Sequence, residues 1–300
     1  VAWPPILVRY GEIGIKSPRV RAQFERRLVE RIEEQLLRRK VESEARRERG
    51  RIFVRAADVE GALDALRHTF GVVSASPAAQ TDAAPDAVAR LALDVARSSL
   101  PEGASFAVRV RRSGQHPFTS LDVAKAGASL ILDELRDRRP RVDLDAPDLE
   151  IRAEVREGAA FVFTRTQRGP GGLPLGSQGR LGVLVEDARA PHAAWLVARR
   201  GSLPFFFAQG DLAEAARRLA PLTPWIPDTR VRSFADADAL RALLAEHRCL
   251  ALVRAGSVAD ALAQRGEDER LGLPVFRPME GYAGPQLRAL CRAAELPEVA

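Results

Sequence analysis

Three short stretches carry side chains whose types and spacing suit chemistry. In Arg9-Tyr-Gly-Glu-Ile-Gly-Ile-Lys-Ser-Pro18 a loop leads from an apolar strand to a helix opened by Ser17 and Pro18, with Arg9, Lys16 and Arg19 around its N-terminus. Free N–H groups and the helix dipole favour an anion there, so phosphate is a natural guest. The same residues also fit an ordinary strand-to-helix loop with solvated charges. In Arg109-Val-Arg-Arg-Ser-Gly-Gln-His-Pro-Phe-Thr-Ser120, Arg109, Arg111, Arg112 and the capping hydroxyls up to Ser120 suit a nucleic-acid backbone. His116 or Phe118 would then stack on an unpaired base. Alternatively His116-Pro117 is a turn and Phe118 an apolar staple against the next helix. The third stretch, Leu181 to Gly201, reads as a buried strand, a tight connection and a helix, a plan that usually holds phosphate. Its connection, Val185-Glu186-Asp187-Ala188-Arg189-Ala190-Pro191, contains no glycine and two carboxylates.

The elements around these stretches are of two kinds. Val20, Phe24, Leu28, Ile32 and Leu36, widened by Val29 and Leu37, recur at helical spacing and predict one long amphipathic helix after Ser17. A charged connection ending at Gly50 follows, then a strand over Arg51–Arg55, a helix over Val59–Thr69 and a short apolar run, Phe70–Val73. This is a small α+β sandwich. Residues 78–166 make a second α+β unit, with a helix near Asp86–Ser98, an arginine-faced strand Phe106–Arg112, a helix capped by Thr119-Ser120, and a hairpin from Leu149 to Arg165. Gly169 to Gly176 has the composition of a linker. Beyond it, apolar strands with little alternation, such as Leu181–Val185 and Cys249–Val253, are separated by helices, which indicates a parallel α/β sheet. The expected domains are 1–77, 78–168, a linker 169–180, and 181–300.

Composition narrows the function. Two cysteines and four histidines offer neither a disulfide framework nor a spacing that suits a metal. The apolar runs are too short to cross a bilayer, and a cytoplasmic location is expected. The chain opens on Val1. Formal charge is +6, with Lys16, Lys40 and Lys125 the only lysines; residues 1–77 carry net +5, residues 78–166 net −1 and the rest net +2. A polyanion docking on the first domain accounts for that asymmetry.

RYGEIGIKSPRVRAQFERRL, RRSGQHPFTS, VDLDAPDLEIRAEVRE and GPGGLPLGSQGR, in this order, resemble the tRNA 4-thiouridine synthetase (tRNA sulfurtransferase) family, especially its archaeal-type members. The resemblance implies an N-terminal ferredoxin-like domain and a THUMP domain that bind tRNA, then a Rossmann-like PP-loop domain that uses ATP and Mg²⁺ to adenylate a uridine. Sulfur would then come from a cysteine persulfide, and dimerisation would run through the third domain. In the family the third stretch reads Ser-Gly-Gly-x-Asp-Ser-Pro; here Val185, Glu186, Asp187 and Arg189 replace it and only Pro191 remains. Two carboxylates would face a polyphosphate, each like-charge pair at ~4 Å costing about 4 kcal/mol at an effective dielectric near 20. Arg189 is expected to pair with Glu186 or Asp187. The helical region Arg232–Glu246, where the family keeps its persulfide cysteine, has none, and Cys249 and Cys291 sit in apolar patterns. No catalytic residue and no cofactor is therefore assigned. The expected function is tRNA binding in thio-modification, alongside a complete sulfurtransferase or a sulfur carrier. The alternative is an active ATP-dependent sulfurtransferase fed by an external sulfur donor.

Overall fold

The structure, a computed structural model, describes residues 3–48 and 51–299; Val1 and Gly50 lie outside them. The first segment runs β1 (Pro5–Tyr10), α1 (Pro18–Arg38), β2 (Ser43–Glu48), β3 (Arg51–Ala56), α2 (Val59–Arg67) and β4 (Val72–Pro77). This is the βαββαβ order of a ferredoxin-like domain. Its sheet runs β4-β1-β3-β2, with the short β10 (Gln167–Arg168) beside β4. Four of the expected stripe residues of α1, Phe24, Leu28, Ile32 and Leu36, are buried, whereas Leu37 is 77% exposed. Strand β2 falls where a charged connection was expected. Only Ala45 of its six residues is buried, so no apolar alternation announces it, and charges are what an exposed edge strand tolerates. Ser17 holds the N-cap position of α1 but makes no side-chain capping bond.

The second segment runs β5 (Ala79–Thr81), α3 (Pro85–Ser99), β6 (Ser105–Arg112), α4 (Ser120–Glu134), β7 (Arg141–Val142), β8 (Leu149–Arg156) and β9 (Ala159–Phe163), in sheet order β5-β9-β8-β6-β7. Phe106, Val108, Ile151, Ala153, Val155 and Val162 share a core with Val88, Leu93, Val123 and Ile131 of the two helices. The opposite face of β6 carries Arg109 and Arg111.

The third segment alternates β11 (Arg180–Leu184), α5 (Ala190–Arg199), β12 (Leu203–Ala208), α6 (Leu212–Leu219), β13 (Val231–Ser233), α7 (Ala237–Glu246), β14 (Cys249–Val253), α8 (Val258–Leu271), β15 (Val275–Phe276) and α9 (Gly284–Ala294). All four neighbouring pairs are parallel, in the order β13-β12-β11-β14-β15. Gly182 lies in the central strand because a Cβ there would meet a Leu244 methyl at 2.3 Å. Leu181, Val183 and Val185 face one core and Leu184 the other, which is why β11 shows no alternation.

The described residues form two compact units, one from residues up to Val8 with those of 41–63 and Ala75–Gln167, the other from Arg9–Lys40 with Asp64–Ser74 and the residues from Arg168 onward. Within the second, Gln35 Nε2 donates to Pro224 O (3.1 Å) and Trp225 O (3.3 Å), and Phe70 lies 5.6 Å from the Trp195 ring and 5.5 Å from Trp225. The glycine-rich segment after residue 168 is pinned too: Gly71 N–H donates to Gly171 O (2.8 Å), and Leu173 and Leu175 are buried. No described helix is long and apolar enough to cross a membrane.

Candidate functional site

Strand β1 and helix α1 hold the first basic loop between them. A 3₁₀ turn, Glu12–Ile15, tucks Ile13 into the core and leaves Ile15 and Arg19 exposed. Arg21, one turn into α1, reaches back: its Nη2 donates to Gly14 O (2.5 Å) and Lys16 O (3.3 Å). The loop therefore has a defined shape. Arg9 is half-buried at the end of β1, and the cationic groups of Lys16 and Arg19 have no hydrogen-bond or ion-pair partner among the described residues.

The second basic loop joins β6 to α4. Thr119, and not Ser120, takes the N-cap: its hydroxyl accepts from Asp122 N (3.2 Å) while the Asp122 carboxylate accepts from Thr119 N (2.9 Å), a capping box. The Thr119 hydroxyl and N–H hold the Asp122 carboxyl below the usual carboxylate range. Ser120 is the first helical residue. The His116 and Phe118 rings lie 5.2 Å apart, both half-buried, and Arg112 stands 6.0 Å over Phe118. Arg112 Nη1 donates to His116 O (3.0 Å) and to Phe118 O. Arg109 is engaged with Glu150 (2.5 Å) and Leu144 O (2.6 Å). Arg111 is exposed and has no partner among the described residues.

The third loop, after β11, is built the other way. With β12 on one side of β11 and β14 on the other, the strand order reverses between β11 and β14, and ligands of open parallel sheets sit outside the strand ends at such a switch point. Here an ion pair spans it. Arg254, just past β14 and 7% exposed, donates from Nη2 to the Glu186 carboxylate just past β11 (2.5 Å) and from Nη1 to Asp268 (2.8 Å); Asp268 also takes Arg277 (3.0 Å). Burial disfavours the Arg254 charge, but Glu186 and Asp268 outweigh burial and raise its pKa above the ordinary arginine value. Asp187 accepts from Arg189 N (2.7 Å) and pairs with its guanidinium (3.2 Å). Val185 and Pro191 are buried. Arg189 thus pairs with Asp187, while the partner of Glu186 is a residue 68 positions away that its own stretch does not reveal. Beside the pair, at the ends of β11 and β12, opens a crevice of about 890 Å³ lined by Leu184, Phe207, Gln209, Asp211, Arg218 and Leu271 among others.

Both cysteines are buried. Burial pushes the Cys249 thiol up to about 11 against the opposing pull of Arg180 and Arg232. Cys291 Sγ lies 3.5 Å from His192 Nε2, and burial lowers the His192 pKa. Among the described residues no cluster of His, Cys, Asp and Glu has the makings of a metal site.

A model of the ThiI ferredoxin-like domain matches residues 5–76, and one of the THUMP domain matches residues 83–165. A probable tRNA sulfurtransferase of Methanosarcina acetivorans is 40% identical over 241 residues, 76% of this chain and 58% of that protein. The chain belongs to the tRNA sulfurtransferase family. A second member, the probable tRNA sulfurtransferase of Halobacterium salinarum, is 38% identical over 263 residues, 86% of this chain and 64% of that one. The chain spans about three-fifths of the length of these curated sulfurtransferases. The crystal structure of PH1313 from Pyrococcus horikoshii has a TM-score of 0.86 at 26% identity, covering 98% of this chain and all of that one. A 4-thiouridine synthetase–RNA complex with bound ATP shares the fold, with a TM-score of 0.75 at 20% identity over 98% of this chain and 84% of that one. The sulfurtransferase architecture is therefore the one described above: ferredoxin-like and THUMP domains, then a parallel α/β domain.

Proposed function

We propose that this chain binds tRNA through its first two domains and does not adenylate it, its third domain acting as a scaffold that helps present tRNA to a complete sulfurtransferase or a sulfur-carrier protein. The observation that carries this reading is the Glu186–Arg254 pair across the switch point. A triphosphate entering there would have to break a pair held between two strand ends, and the loop offers side chains where bare backbone N–H groups are needed. The residues present do not fit ATP and Mg²⁺. The residues proposed to meet RNA are Arg9, Lys16 and Arg19 in one loop and Arg109, Arg111, His116, Phe118 and Ser120 in the other. Lys16, Arg19 and Arg111 head this set because their charges find no partner among the described residues. Filter binding with tRNA and with a hairpin lacking the unpaired acceptor end tests recognition. Tighter binding of tRNA, weakening as salt rises, is expected; equal affinity for the two, or no salt dependence, contradicts it.

One observation favours the second reading, an ATP-dependent tRNA sulfurtransferase served by an external sulfur donor: the crevice beside Glu186 remains open and is of ligand size. Formation of 4-thiouridine in tRNA incubated with the chain, ATP, Mg²⁺ and a persulfide donor would establish it.

A further inference from the structure

The two basic loops share a device. In each, one terminal guanidinium nitrogen donates to two loop carbonyls two residues apart: Arg21 Nη2 to Gly14 O and Lys16 O, and Arg112 Nη1 to His116 O and Phe118 O. Each arginine stands on the regular element beside its loop, Arg21 in the first turn of α1 and Arg112 at the last residue of β6. We infer that Arg21 and Arg112 are positioning residues that hold the two loops in their RNA-binding shape and do not themselves contact RNA. The inference rests on the RNA-binding reading of the loops and refines it, because Arg112 looks by sequence like one more phosphate contact.

Three observations separate Arg112 from its neighbour. Along β6 the even positions Phe106 and Val108 face the helices, as Arg112 does, whereas Arg111 projects from the opposite face. The Arg112 guanidinium is committed to the loop's carbonyls and lies over Phe118, itself against His116, so one cation fixes both rings. Arg111 keeps its charge unpaired among the described residues. The carbonyls that Arg21 and Arg112 serve belong to half-buried residues, Gly14, Lys16, His116 and Phe118, of short surface segments that water reaches if they are released. Removing either arginine therefore loosens a loop without opening a core, and a loop that is competent only part of the time binds more weakly by that fraction.

The test measures tRNA affinity of the full chain from about 50 to 300 mM salt, for wild type and the variants R111A, R112A and R21A, with amide hydrogen exchange of residues 11–17 and 113–119 in the free proteins. R111A is expected to reduce the slope of log K against log salt by about one phosphate contact. R112A and R21A are each expected to weaken binding about five- to tenfold at every salt concentration with the slope unchanged. Each should speed exchange in its own loop only and leave the melting temperature in place, a pattern that general destabilisation does not give. If wild type shows no salt-dependent tRNA binding, the RNA reading itself falls. If wild type binds and R112A or R21A lowers the slope like R111A, or leaves loop exchange unchanged, that arginine is a contact and the inference is overturned.

Discussion

The loop after β6 and the loop after β11 have the same plan, a strand ending at the N-terminus of a helix, and differ in where their charges find partners. After β6, Arg112 and Thr119 engage groups of the loop itself and Arg111 has no partner among the described residues, so the loop proposed to meet RNA keeps a charge for a phosphate. After β11, Glu186 and Asp187 are neutralised by Arg254 and Arg189, and the pair at Glu186 occupies the switch point. The lesson is that a strand-to-helix connection is only a scaffold for anion binding. On the proposed reading, spare cations and bare N–H groups make it a site, and internal ion pairs unmake it.

The sharpest way to break this contrast is to remove Arg254. Arg254→Met leaves Glu186 and Asp268 facing a buried gap with one cation fewer, and should cost about 3 kcal/mol or more of unfolding free energy in urea titrations. A cost below about 1 kcal/mol would mean that the network does not hold the third domain together. Glu186→Gln, at a carboxylate that is 39% exposed, should cost only about 1 kcal/mol, and neither change should alter tRNA affinity. On the RNA side, Lys16→Ala with Arg19→Ala should weaken tRNA binding about tenfold at low salt and reduce the salt slope by about two contacts. An unchanged slope would remove the first loop from the interface. The smallest effect concerns sulfur. With Cys249 held near 11 by burial and Cys291 enclosed, neither thiol should react with a thiol reagent at about pH 8 until the chain unfolds. Fast labelling of either in the native protein would reopen persulfide chemistry.

Much of this was legible in the sequence wherever a signal is local. The helical stripe of α1, the capped helix after Phe118, the hairpin of β8 and β9 and the unalternating strands of the parallel sheet all declare themselves in short continuous stretches. Strand β2 did not, because an edge strand covered in Glu and Arg has only Ala45 to show for its buried face. The roles of Arg21 and Arg112 were equally hidden, since a carbonyl-binding arginine and a phosphate-binding one look the same in a string of arginines. The fate of Glu186 was half legible. The missing glycines were plain, but the like-charge cost reckoned from two bare carboxylates is offset by Arg254, which the parallel topology alone brings to the end of β11.

Equilibrium dialysis of the full chain against labelled ATP with Mg²⁺, run beside tRNA binding on the same preparation, tests the central contrast directly. Salt-dependent retention of tRNA and no saturable uptake of nucleotide are expected. Saturable ATP binding that Glu186→Gln strengthens would contradict that contrast, because it would place the nucleotide where the ion pair is held to stand.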